Sequence, residues 1–181
     1  YGIDRERIIV TGSGFNRDIF YPPADRKMDG SIKALYAGKL SAAKGVPSLL
    51  RAVSRLPLAR SDFQLILAGS GSGYEYDEIL SLAGNCPFKT IFTGSLPQAV
   101  LGELMRECHL FVMPSFYEGV SLVTMEALAS GLRVVSNELP GMREWVGSRL
   151  EEEGIVEYVS LLALRSIDTP LTEELPAYEE R

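Results

Sequence analysis

Two glutamates stand eight positions apart in Glu118-Gly-Val-Ser-Leu-Val-Thr-Met-Glu126, a stretch leading from an apolar strand-like run into helix-period sequence. A helix start offers unpaired backbone N–H groups and the positive end of a dipole, a ready seat for an anion. Gly119 lets the backbone approach such a group closely. Two carboxylates beside a phosphate seat are electrostatically wrong unless they bind hydroxyls. Glu126, about one turn into the helix, has two acceptor oxygens that can take both vicinal hydroxyls of a ribose. Glu118, in the loop, could reach a sugar beyond the phosphates. The plainer alternative is a pair of solvated surface acids, and the setting at a strand–loop–helix junction weighs against it.

A second group is Gly38-Lys-Leu-Ser-Ala-Ala-Lys-Gly45. Lys39 and Lys44 sit in a small-residue loop after an apolar run, where two cations could neutralise a diphosphate as its charge develops. Two ordinary exposed lysines would look the same. The glycines at 69, 71 and 73 follow another apolar run with the spacing G-x-G-x-G. That is not the dinucleotide fingerprint G-x-G-x-x-G, and no acid stands about 20 residues on, so a dehydrogenase is disfavoured. A turn admitting a nucleobase and a purely structural turn both remain open. His109 is the one histidine and opens a core-like run, which favours a packed role. Without a Cys/His/Asp cluster beside it, no metal site is expected.

The elements that must position these residues follow from periodicity. Short apolar runs alternate with helix-period segments from about residue 31, the pattern of βαβ units in a parallel sheet covered on both faces. Strands are expected at 8–10, 32–37, 63–68, 90–93, 110–113, 133–136 and, at an edge, 155–159. The helix beginning near Lys44 has Pro47 in its first turn and an apolar face of Val46, Leu49, Leu50, Val53 and Leu56. Further helices are expected at 75–83, from Ser95 or Pro97 onward, at 122–130 and at 141–146. The third of these five carries a stripe of Val100, Leu101, Leu104, Met105 and Cys108. Ligands of such sheets bind outside the carboxyl ends of the strands, so the loops at 38–44, 69–73, 94–98, 114–121 and 137–141 define the site.

Bulk properties narrow the function classes. The 181 residues are enough for one domain with a substantial core. The net charge of −6 argues against nucleic acid or an anionic membrane as partner of the whole surface. No apolar run approaches the roughly 18 residues that span a bilayer. Cys86 and Cys108, without a CxxC framework, read as reduced core thiols of a cytoplasmic protein. Tyr1 is not an initiator methionine, and the acidic, proline-punctuated stretch 168–181 reads as the beginning of a helix cut short. The expected organisation is therefore an excised domain: a lead-in segment at 1–30, the α/β domain at 31–160, and a truncated tail at 161–181.

Several motifs in order resemble the C-terminal half of family 4 glycosyltransferases, retaining enzymes built from two Rossmann-like domains (the GT-B architecture). They are Ala37-Gly-Lys-Leu-Ser-Ala-Ala-Lys-Gly45, Leu67-Ala-Gly-Ser-Gly71, Phe92-Thr-Gly94, and the run from Val112 to Ala127 containing the E-x7-E pair Glu118 and Glu126. The resemblance covers roughly residues 8–159 and implies an α/β fold, a Rossmann-like parallel sheet with helices on both faces. By position it implies that Glu126 binds the ribose and that Glu118 lies at the donor sugar or phosphate. The amides of Gly119, Val120, Ser121 and Leu122 would hold the diphosphate, joined by Lys39 and Lys44. Gly69, Gly71, Gly94, Ser95 and Leu96 would border the base.

Two departures from the family pattern stand out. Lys39 occupies a position usually held by Arg, keeping the charge and losing the bidentate fork. Ser121 replaces a frequent Gly. The family implies a nucleoside diphosphate-sugar as donor, retention of anomeric configuration and neither cofactor nor metal. Its acceptor is bound by an N-terminal domain, through which any contact with a membrane surface would also be made. By itself, the chain is expected to bind donor weakly and to catalyse little. The rivals are a nucleotide-sugar 2-epimerase of similar architecture and a non-catalytic nucleotide-binding domain.

Overall fold

Near-continuous apolar runs let the central strands bury both faces, and the strands assemble accordingly. The computed structural model describes residues 4–7, 13–26 and 30–180. The strand expected at 8–10, with Thr11 and Gly12 of the lead-in, lies outside the described residues. Among these, β1 (Ile32–Ala37), β2 (Phe63–Ala68), β3 (Lys89–Gly94), β4 (Leu110–Met113), β5 (Arg133–Asn137) and β6 (Val156–Val159) form one sheet. All its pairings are parallel, in the order β3-β2-β1-β4-β5-β6. The α/β Rossmann-like class and the edge position of the last strand are as expected. This strand order reverses between β1 and β4, the kind of switch point at which such sheets open a crevice.

The two sheet faces bury separate cores. Leu35 and Ala37 of β1 and Ile66 and Ala68 of β2 point one way, into a cluster with Met105, Phe111 and Ala127. Ala34, Tyr36, Leu65 and Leu67 point the other way, against Val46, Leu50 and Ile79. The period of two along each strand makes this division. Helices cover both faces: α1 (Val46–Val53) and α2 (Gly73–Asn85) on one, α3 (Gln98–Glu107) and α4 (Leu122–Ala129) on the other. Two short helices, α5 (Met142–Val146) and α6 (Ser148–Glu152), lead to β6.

Two residues depart from the expected helical faces. Helix α1 stops at Val53, and Leu56 lies beyond it, 37% exposed, outside the core face. Val100 is 44% exposed, so the α3 stripe is carried by Leu101, Leu104 and Met105. Apolar residues at the margin of a helical stripe commonly stay in water, because there is not enough polar surface to cover a protein. A short hairpin, β7 (Leu164–Ser166) with β8 (Thr169–Pro170), leads into a 3₁₀ turn at Thr172–Glu174 and the single turn α7 (Leu175–Tyr178), so the stretch after Asp168 does turn helical. Its Tyr178 packs with Phe116 and Leu162 in a third cluster.

The lead-in packs onto the sheet's helices. Phe20 is 1% exposed within the core. The Arg26 guanidinium donates to the carbonyls of Met105, Arg106 and Cys108 at the end of α3 and to Ser130 O after α4. It thereby satisfies carbonyls that a helix end leaves without partners. Arg106 returns a hydrogen bond to Ile19 O at 2.8 Å.

Candidate functional site

The loops after β1, β2 and β3 are knitted together by backbone hydrogen bonds. Gly38 N donates to Ala68 O, Leu40 N to Ser70 O and Gly69 N to Gly94 O, each at 2.9 Å. The β2–β3 register slips between Leu67 and Ala68, pairing Ala68 with Gly94. Gly69 is required here: at φ +152 a Cβ would stand 1.8 Å from Gly38 O. Gly45 is equally constrained before α1, at φ +70 with a Cβ position 2.0 Å from Pro114 O. That contact locks the lysine loop to the end of β4.

Above these strand ends lies a cleft of about 440 Å³, lined among others by Lys39, Gly69, Ser70, Ser95, Leu96 and Glu126. It occupies the carboxyl side of the sheet where strand order reverses. Five of the expected site residues, Lys39, Gly69, Ser95, Leu96 and Glu126, thus come together. Gly71 stands behind the lining, packed against Leu40 O and the Tyr76 ring. Gly94 serves the strand ladder through its carbonyl.

Glu126 is 8% exposed at the cleft, and burial raises its carboxyl pKa above the usual carboxylate range. A buried carboxylate in that setting is strained towards its neutral form unless donors reach it. Hydroxyl groups from the cleft side would supply them.

Helix α4 begins after Ser121, whose carbonyl accepts from Thr124 N and Met125 N at 3.1 and 3.3 Å. The Ser121 and Thr124 hydroxyls hydrogen-bond each other at 2.8 Å, so Ser121 turns its side chain inward and offers the site only backbone. Gly119, Val120 and Leu122 are exposed, and the space around the Gly119 Cβ position is open. The second residue of this helix, Val123, lines the cleft beside Glu126.

Lys44 and Glu118 do not line that cleft; they pair with each other on the neighbouring loops. Lys44 Nζ lies 2.8 Å from Glu118 Oε1 and donates to Tyr117 O at 3.3 Å. Ser115 Oγ donates to the same Glu118 oxygen at 2.9 Å. His109 has a structural role: its Nδ1 accepts from Lys33 N at 3.0 Å, and its own N–H donates to Lys33 O.

Several groups that shape the site lie outside the expected set. Tyr36, buried beneath the lysine loop, donates its hydroxyl to Lys39 O at 2.7 Å. Burial, reinforced by the Glu118 carboxylate, pushes its pKa upward, so it stays a donor. Ser70 and Leu101 line the cleft, and Asn137 holds the carbonyls of Pro114 and Ser115. Ser70 lies within the glycine run, Leu101 on the α3 stripe and Asn137 at the head of the 137–141 loop, so all three had a signal; Tyr36 looked like an ordinary strand residue. Among the described residues no group of three or more His, Cys, Asp or Glu could hold a metal ion, and no helix is long and apolar enough to cross a membrane.

Comparison with known proteins agrees with this architecture. The family model for glycosyl transferases group 1 matches residues 20–158. An uncharacterized glycosyltransferase of Methanocaldococcus jannaschii is 33% identical over 72% of this chain and 33% of its own length. The O-antigen chain mannosyltransferase B of Escherichia coli is 31% identical over 96% of this chain and 55% of its own. The chain therefore spans a third to about half of these relatives. Among solved structures, WaaG, a glycosyltransferase involved in lipopolysaccharide biosynthesis, superposes with a TM-score of 0.72 at 19% identity, over 99% of this chain and 48% of that one. Its likeness speaks to the fold, a GT-B type arrangement. With the family model spanning the lysine loop, the glycine turn and both glutamates, the chain belongs to the glycosyl transferases group 1 family.

Proposed function

We propose that this chain is the donor-binding half of a retaining glycosyltransferase that transfers a hexose-like sugar from a nucleoside diphosphate. The observation that carries the reading is the buried Glu126 carboxylate sharing a cleft with Lys39 at the switch point of the sheet. In this reading Glu126 accepts hydrogen bonds from both ribose hydroxyls, which offsets the desolvation that raises its pKa. Ser95, Leu96 and Gly69 border the base. The diphosphate lies across the amides of Gly119, Val120, Ser121 and Leu122 at the start of α4, where the helix dipole favours negative charge.

Lys39 and Lys44 neutralise the diphosphate as the glycosidic bond breaks and charge grows on the leaving oxygen. Glu118 faces the donor sugar, accepting from its hydroxyls. Its pairing with Lys44 supports this, because one cation then bridges the sugar-binding acid and the phosphate seat. No resident cofactor or metal is needed for charge neutralisation with two lysines and a helix start in place. The acceptor and the group nearest the attacking hydroxyl belong to an N-terminal domain of the full enzyme, which works in the cytoplasm. The named relatives are transferases and do not favour an isomerase reading.

Calorimetric titration of UDP, GDP and ADP into the folded chain tests the proposal. Saturable binding to at least one is expected, unchanged by EDTA and weakened several-fold by Glu126→Ala. A folded protein that binds none of the three would rule the donor site out.

A further inference from the structure

Asn137 ends β5 with a side chain 2% exposed and fully committed. Its Nδ2 donates to Pro114 O at 2.9 Å and to Ser115 O at 3.0 Å, while its Oδ1 accepts the Tyr178 hydroxyl at 2.5 Å. Both amide protons face carbonyls, so the carbonyl end of Asn137 can only face the phenol. The Tyr178 ring packs against Phe116 with centroids 5.7 Å apart. Phe116 N in turn donates to Ala43 O in the lysine loop at 3.2 Å. Three consecutive residues, Pro114, Ser115 and Phe116, are thus gripped from the C-terminal side. They are the first residues of the loop in which Ser115 holds Glu118.

Tyr178 is itself anchored. The next residue, Glu179, is 6% exposed and pairs with Arg51 of α1 at 3.3 Å and with Arg55 just beyond it at 3.8 Å. The path from α1 through Glu179, Tyr178 and Asn137 ends on the carbonyls of the strand-to-loop turn. A contact that merely filled the core would have no reason to end there. We infer that the C-terminal turn is a brace for the donor loop, with Tyr178 a positioning residue that acts on Glu118 through Asn137 and Ser115. The inference rests on the donor-site reading for its functional part only.

Two variants test it on the full 181-residue chain. Tyr178→Phe removes the hydroxyl and keeps the ring against Phe116; Asn137→Asp keeps the shape and replaces the amide donors with acceptors. Amide hydrogen exchange is read first, without ligand. Residues 115–121 should exchange about tenfold faster in both variants, with β1, α1 and α2 unchanged, the signature of local rather than global opening. Affinity is read second, with UDP-glucose, GDP-mannose and ADP-glucose as probes against UMP, GMP and AMP. The sugar nucleotides should bind about five- to tenfold more weakly and the monophosphates equally well, since Glu126 is untouched.

Unchanged exchange at 115–121, or a rise spread over the whole sheet, overturns the brace. So does equal weakening of monophosphate and sugar nucleotide. A wild-type chain that binds no nucleotide refutes the donor reading instead, and the exchange data then decide the brace alone.

Discussion

Lys44 Nζ sits 2.8 Å from Glu118 Oε1, joining the loop after β1 to the loop after β4 across the switch point. The two side chains are 29% and 24% exposed, so water screens the pair and its share of folding stability is under about 1 kcal/mol. Its value lies in placement. Lys44→Met should shift the thermal midpoint by no more than about 2–4 °C, the equivalent of that energy in a domain of this size. The same change should weaken nucleoside diphosphate binding about tenfold, roughly 1.4 kcal/mol. Differential scanning calorimetry and titration on one preparation separate the two effects. A large stability loss with normal affinity would assign the pair to the fold alone.

Glu126 predicts an opposed pair of effects on stability and binding. Burial raises its folded pKa, so the folded state holds the proton more tightly than the unfolded chain. The stability this group contributes is complete below the unfolded value of about 4.3 and is lost as pH rises through the raised folded value. Glu126→Gln removes that loss. At pH 7 the variant should melt above wild type, with the difference vanishing below about pH 4. Its nucleotide affinity should fall, because Gln offers one acceptor oxygen where the carboxylate offers two. Melting curves across pH check the first part, titration the second.

Two glycines near the site should respond in opposite ways. Gly69→Ala drives a Cβ towards Gly38 O, 1.8 Å from its built position, and backbone on both sides must shift. A loss of at least about 2 kcal/mol in urea unfolding is expected. Gly119→Ala meets open space and should stay within about 0.5 kcal/mol of wild type. Its affinity for nucleoside diphosphate should nonetheless drop, because the added methyl keeps phosphate from the loop amides. Unfolding and binding curves for both variants distinguish a fold glycine from a ligand glycine.

Arg26 links the lead-in to the ends of two helices. Removing it strands the carbonyls of Cys108 and Ser130, and Arg26→Ala should destabilise by about 2 kcal/mol. Arg26→Lys should recover little, since a single ammonium cannot reproduce the planar fork that spans α3 and Ser130. Chemical unfolding of the three proteins measures this.

The α/β class, the strands and their approximate bounds, and the glutamate and lysine loops were all legible along the chain, because hydrophobic period and glycine spacing are local signals. So was the start of α4, where the loop chemistry changes abruptly at Ser121 and Leu122. Strand order was decided only in the tertiary structure, and with it the company each residue keeps. Lys39 and Glu126 share a cleft because β1 lies beside β4, a pairing between residues some seventy-five positions apart in sequence. The same pairing brought Lys44 to Glu118. Tyr178 carried no local signal and Asn137 only that of a loop position, since a buried amide and a tail phenol look ordinary until the fold brings them to one turn. Long-range contacts are written in the summed packing of both sheet faces, and no short stretch of residues contains them.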